Sequence, residues 1–225
     1  MNVTSAVTSR ISCRAFLDQP VPKQTVVDIL ETAKRAPSGG NLQPWLVHVL
    51  SGQPLAEFLA TIRSKLSLLP VGEGTEYNIY PTELVDPYRA RRFKCGEDLY
   101  ATMDIPRDNK LARLGQFARN YEFFGAPVGL FFCIDRRMGQ DQWADLGMFM
   151  QTVMLLARER GLHTCAQEAW AIWHKTIAEY LQLPADVMLF SGMALGYMDE
   201  SAPINALRTQ RAALDEFTTL RGFEG

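Results

Sequence analysis

APSGGNLQPW, residues 36–45, decides how the chain around it folds. Upstream, residues 22–35 (PKQTVVDILETAKR) open with Pro22 at a first helical position and place Val26, Val27, Ile29, Leu30 and Ala33 on one stripe, the pattern of an amphipathic helix. Downstream, Leu46-Val-His-Val-Leu50 reads as a short strand. A helix-to-strand connection needs a stop and a turn, and one glycine supplies both. This connection holds two prolines, two glycines, a serine, an asparagine and a glutamine, and then a tryptophan. That surplus of backbone freedom and hydrogen-bonding groups raises the question of what the loop is for.

Alternation of helix and strand continues outward from the loop. Residues 54–68 put Leu55, Phe58, Leu59, Ile62 and Leu66 on one helical face. Residues 128–134 (VGLFFCI) form a continuous apolar run, as expected of a strand buried on both faces. Residues 141–160 predict a long helix whose middle, Leu146 to Ala157, is apolar on nearly every side. Such a helix is buried all round, in the domain centre or against a second subunit. A helix over 173–182 and a strand over 188–197 follow. Residues 69–123 interrupt the alternation with many aromatics and charges, and with helical-looking pieces near 95–103 and 109–122. Long excursions of this kind in compact domains are usually lids or binding segments, so 69–123 is read as a lid within a single domain of residues 1–225.

Composition narrows the function classes. With 47% hydrophobic and 21% charged residues the chain has the make-up of an ordinary globular domain. A formal charge of -2 argues against nucleic acid as a partner. No apolar run approaches the roughly 18 residues of a membrane span, and MNVTSAVTSR is no export signal. Cys13, Cys95, Cys133 and Cys165 are scattered without metal-ligand spacing, which reads as free thiols in a reducing cytoplasm. There is no GxGxxG, Walker loop, HExxH or GxSxG. His48, between Val47 and Val49, reads as a satisfied strand histidine. With no hydrolytic or metal machinery in view, catalysis falls to a bound organic cofactor.

Two polar clusters point the same way. Arg10-Ile-Ser-Cys-Arg14 sets two guanidiniums and a hydroxyl in one short stretch, and Arg208-Thr-Gln-Arg211 repeats the theme. Either alone reads as solvated surface. Taken with the Ser-Gly-Gly-Asn loop they indicate an anionic ligand rich in hydrogen-bonding groups.

RISCR (10–14), APSGGNLQPW, FFGAPVGLFF (123–132), TCAQEAW (164–170) and PINALRTQRAALDEF (203–217), in that order, resemble the FMN-dependent nitroreductase family, and most of all its nitrobenzoate-reductase-like bacterial branch. The resemblance spans Arg10 to about Phe217. It implies an α+β fold with a mainly antiparallel central sheet surrounded by helices. It also implies an intertwined homodimer with FMN sites at the subunit interface, and ping-pong hydride transfer from NADH or NADPH to nitroaromatics, quinones or related acceptors. On the same basis Pro37, Ser38, Gly39, Gly40, Asn41 and Gln43 lie along the flavin, Arg10, Ser12 and Arg14 meet its phosphate and ribityl chain, and Arg211 with Arg208 clamps the phosphate. Gln167, Glu168 and Ala169 match the segment whose backbone faces flavin N5. Family members often carry Pro and Gly around that glutamate and a basic residue in place of Ile11; this chain has Ala166 and Ala169 there.

No side-chain acid or base is required in such chemistry, so no residue is expected to be catalytic in its own right. Trp45, Phe124 and Trp170 are candidate pocket walls, although large aromatics more often pack a core. Asp86-Pro-Tyr-Arg-Ala-Arg-Arg-Phe-Lys94 concentrates positive charge in the lid. Tyr88, Arg89, Arg91 and Arg92 are therefore candidates to hold an anionic aromatic such as a nitrobenzoate, against the plainer reading of a solvated basic face. The alternatives are a flavin-dependent reductive dehalogenase, whose related branch also inserts a lid, and a flavin-binding protein without turnover.

Overall fold

The computed structural model describes residues 1–223. Four strands form one antiparallel sheet in the order β1-β2-β4-β3, with β1 Leu46–Ser51, β2 Val128–Asp135, β3 His163–Gln167 and β4 Val187–Gly196. Helices α1 (Val3–Ser9), α2 (Lys23–Ala33), α3 (Gly52–Leu68), α4 (Tyr88–Ala101), α5 (Lys110–Ala118), α6 (Gln140–Glu159) and α7 (His174–Leu181) surround it, giving the α+β architecture expected. Pro22 lies at the N-cap of α2, one residue earlier than expected.

The apolar run of β2 is buried on both faces and divides two cores. Val128, Leu130, Phe132 and Ile134 pack with α2 and α6, against Ile29, Leu146, Phe149 and Val153. Phe131 and Cys133 face the other way, into an aromatic cluster with Phe58, Phe123, Trp170 and Trp173. Between Phe132 and Cys133 the β2–β4 register slips, leaving Phe190 as a bulged residue. The bulge switches the inward parity of β4, so that Met188 and Met193 reach the same core. Two glycines admit the aromatic cluster to the sheet: a Cβ on Gly129 would enter the Phe123 ring, and one on Gly192 would enter Trp170.

The helix α6 departs from expectation within one chain. Leu146, Phe149, Met150, Val153 and Ala157 are buried, but Met148 is 40% exposed and Gln151, Thr152 and Leu155 are only half-buried. The strand β3 was not foreseen, because His-Thr-Cys-Ala-Gln carries no apolar period.

Residues 69–123 fall into two parts. Residues 72–77 are stapled to the body. Glu73 accepts hydrogen bonds from the Thr176 N–H (3.0 Å) and hydroxyl (2.6 Å), and the Tyr77 hydroxyl donates to the carbonyl of the bulged Phe190. Burial alone would raise the Glu73 carboxyl, but the Thr176 hydrogen bonds, with the Lys65 and His174 charges, outweigh it and hold it below its usual value. By contrast α4 and α5 bury no side chain, and the fork of Arg113 on Glu97 (2.6 and 3.1 Å) ties them together. The helix α4 begins at Tyr88, well before the 95–103 piece read from sequence, directly after Pro87.

Candidate functional site

Where α1, the segment after it and the C-terminal arm meet, there is a cavity of about 580 Å³ lined by Arg10, Ser12, Arg14, Arg208 and Arg211, with Gln151 of α6 and Cys95 of α4. No carboxylate lines it, and among the described residues none of the four guanidiniums has an ion-pair partner. Burial, and then the Arg211 charge, lower the pKa of Arg10, as expected where like charges gather without a counterion. Beneath them Cys165 is fully buried and its thiol is pushed up by desolvation, while Cys13 is pushed up to about 12. Both therefore stay neutral, leaving the cavity with the charge of its arginines.

Local structure explains the convergence. After α1, Ser12 bridges Thr164 in parallel at the sheet edge, and Cys13 N–H donates to the Thr164 carbonyl (3.0 Å). That places residues 10–16 alongside β3. The arm returns from β4 through a 3-10 turn, Pro203–Ala206. There Asn205, 4% exposed, accepts from Arg14 N–H (2.8 Å) and donates to the carbonyls of Ala15 (2.8 Å) and Asp199 (2.9 Å). Sequence reading passed over Asn205. Nothing in the sequence of the PINA turn, 203–206, marks an asparagine whose side chain is fully used.

The opening loop is elsewhere. Gly40, Asn41 and Gln43 take left-handed backbone (φ 57°, 57° and 50°), which the glycine accepts freely and asparagine tolerates. The Gln43 N–H donates to the Ser38 hydroxyl (3.0 Å), while Pro37, Gly39, Gly40 and Asn41 are exposed. Gly39 N–H donates to Asp145 (3.1 Å), a buried carboxylate on α6 that sequence reading also missed. None of the loop residues lines the arginine cavity. Asp145 and Gln151 stand six residues apart on α6, about 9 Å along the axis. Trp45 is half-buried and stacks on Phe149 at 4.7 Å.

The Gln167–Ala169 segment leaves β3 into a 3-10 helix, Glu168–Trp173. The Gln167 amide is buried and committed internally, donating to the Asn120 carbonyl (2.8 Å) and accepting from Trp170 (3.4 Å). Its side chain is not free for a ligand, which leaves the segment's backbone and the Glu168 side chain. Glu168 is exposed, yet the surrounding protein desolvates its carboxyl enough to raise its pKa. Trp170 and Phe124, candidates for pocket walls, are core residues at 0% and 1% exposure. The chain turns through left-handed Phe123, Phe124 and Gly125 just before β2, and the Phe123 ring lies 4.6 Å from Trp170.

The basic run of α4 is mostly answered locally. Arg89 forks onto Asp86 (3.2 and 2.8 Å), Arg91 meets Glu216 (2.9 Å) and Lys94 meets Asp98 (2.8 Å). Arg92 has no carboxylate partner among the described residues and lies over the Tyr80 ring at 4.0 Å. With Arg89, Phe93 and Glu97 it lines a separate groove of about 470 Å³. Tyr88 is exposed at the start of α4.

The model of the nitroreductase family matches residues 7–197. The chain is 38% identical to a 4-nitrobenzoate reductase of Pseudomonas putida, over 98% of this chain and 96% of that protein. Its fold superposes with a TM-score of 0.96 on the FMN and NADPH-dependent nitroreductase NfnB of Sphigopyxis sp. strain HMH, at 45% identity over 99% of this chain and 100% of that one. The FMN-dependent NfnB of Mycobacterium smegmatis, solved in complex with NADPH, gives a TM-score of 0.92 at 27% identity, covering 97% of both chains.

Proposed function

The chain belongs to the nitroreductase family, and from that premise we propose that it is an FMN-dependent NAD(P)H oxidoreductase that reduces nitroaromatic compounds. The observation that carries this is the cavity of four guanidiniums without a carboxylate. A phosphate monoester supplies the negative charge such a site lacks, and guanidinium forks match its oxygens. Ser12 adds a hydroxyl for a polyol chain. When bound, the flavin supplies hydride acceptance and donation.

The protein's own task is then to bind and orient. Arg10, Arg14, Arg208 and Arg211 hold the phosphate. The Glu168–Ala169 backbone runs past the ring. The Ser38–Gln43 loop, anchored on Asp145 away from the arginine cavity, serves the site of a second copy, so the cofactor lies between two subunits. The half-exposed side of α6 supports that pairing. Nicotinamide donor and nitro acceptor would use one site in turn. The NADPH complex of the M. smegmatis relative supports a nicotinamide donor. The name of the P. putida relative supports an anionic acceptor.

Steady-state oxidation of NADPH at several fixed concentrations of 4-nitrobenzoate tests the reading. Ping-pong turnover gives parallel double-reciprocal lines. Intersecting lines would contradict alternate occupancy, and oxidation independent of the acceptor would remove the nitroreductase activity.

A further inference from the structure

We infer that Asn205 is the positioning residue that fixes the spacing of the two arginine clusters, and thereby sets the site's preference for a phosphorylated over an unphosphorylated flavin. The inference rests on the flavin reading above.

Asn205 is 4% exposed, and its hydrogen-bonding groups are all engaged. Its side-chain oxygen accepts from Arg14 N–H (2.8 Å), and its amide donates to the carbonyls of Ala15 (2.8 Å) and Asp199 (2.9 Å). Its own N–H donates to the Ala202 carbonyl (3.0 Å), and its carbonyl accepts from the Arg208 guanidinium (2.8 Å). One residue therefore touches the backbone of the first arginine cluster and the side chain of the second. Among the described residues no other hydrogen bond joins residues 10–16 to residues 203–211.

The Arg10 and Arg211 charges repel. Backbone bonds of Leu17 to Tyr197 (2.9 Å) and of Asp199 to Ala15 (3.1 Å) hold the roots of the two segments together, and Asn205 extends that hold to the arginine turn itself. Asparagine suits the position because it has both an acceptor and two donors on a short stem. Aspartate would lose both donations and bury a charge. Leucine would leave the Arg14 N–H unpaired and take one donor each from the carbonyls of Ala15 and Asp199, which keep the N–H groups of Asp199 and Ala202. Glutamine keeps every group but carries them one methylene further out. Without the bracket the two segments are joined only at residues 15–17 and 197–199, the spacing of the arginine clusters beyond that point loosens, and both clusters meet one phosphate less well. The ring and ribityl contacts do not depend on that spacing, so an unphosphorylated flavin is largely indifferent to it.

The test compares FMN with riboflavin, each titrated into apo-protein of the wild type, Asn205→Ser and Asn205→Gln, with Arg211→Ala as a reference. The wild type should prefer FMN. Asn205→Ser should lose FMN affinity by at least about tenfold, as Arg211→Ala does, with riboflavin binding nearly unchanged. Asn205→Gln should fall between, and it carries the comparison if the serine variant does not fold. An unchanged FMN-to-riboflavin ratio in the variants, or equal weakening of both ligands, would overturn the role of Asn205. A wild type that binds both flavins equally would instead overturn the phosphate reading beneath it.

Discussion

Arg92 is the cation of α4 left with an aromatic partner instead of a carboxylate. In the sequence it cannot be told from Arg89 or Arg91, since all three lie in DPYRARRFK. The structure separates them by partner: Asp86 three residues back answers Arg89, and Glu216, 125 residues on, answers Arg91. Under the proposed function, an anionic acceptor would be drawn to the guanidinium whose charge has no carboxylate partner. Arg92→Gln should therefore lower kcat/KM for 4-nitrobenzoate by about five- to a hundredfold, while 4-nitrobenzamide and a neutral quinone react as before. Arg89→Gln should do little. Equal effects of Arg92→Gln on acid and amide would return the run to a solvated basic face.

At the scale of elements, the strap of residues 72–77 and the glycines of the sheet make separate predictions. Glu73 has its folded pKa held below its ordinary value, so its contribution to stability is fully present above about pH 4.5 and is lost as pH falls through the lower folded value. Glu73→Gln should lower Tm at neutral pH, and the gap to wild type should close on acidification below that point. A gap constant with pH would show that the charge is not what holds the strap. On the sheet, Gly192→Ala would drive a methyl into Trp170, whose ring is buried in the aromatic cluster. Overpacking of this kind costs roughly 1–3 kcal/mol, and chemical denaturation should show it as a lower midpoint at unchanged slope. The long periodic elements were legible because apolar spacing marks them: α2, α3, α6, β2 and β4 all lie close to where the pattern put them. The strand β3 and the early start of α4 were not, because one is a short edge strand of mixed residues and the other has almost no buried face.

For the whole molecule, the arginine clusters converge within one chain while the glycine loop lies apart from them. The arginine half was readable as two clusters and closes on itself in three dimensions. Asn205 and Asp145, which hold the arginine turn and the glycine loop in place, were silent, since a buried hydrogen bond leaves no trace in residue spacing. Phe124 and Trp170 are buried in this chain, the plainer of the two readings open to a large aromatic, because aromatic character does not reveal which way a ring turns. Met148 is exposed and Leu155 half-buried on α6, and Leu214, Phe217 and Leu220 are exposed on the C-terminal arm, apolar groups that a second copy of the chain would cover. Sedimentation at low micromolar concentration should give a single species of twice the chain mass, and a monomer that still held FMN would contradict a site shared between copies.

The proposed function has this chain carry FMN and pass electrons from a nicotinamide to a nitro group. Anaerobic titration of the purified holoprotein with NADPH, followed by absorbance, tests it most directly. The purified protein should be yellow, and its visible flavin band should bleach with about one equivalent of NADPH per flavin and return when 4-nitrobenzoate is added. A flavin that does not bleach, or one that bleaches and stays reduced in the presence of nitroaromatics, would contradict it.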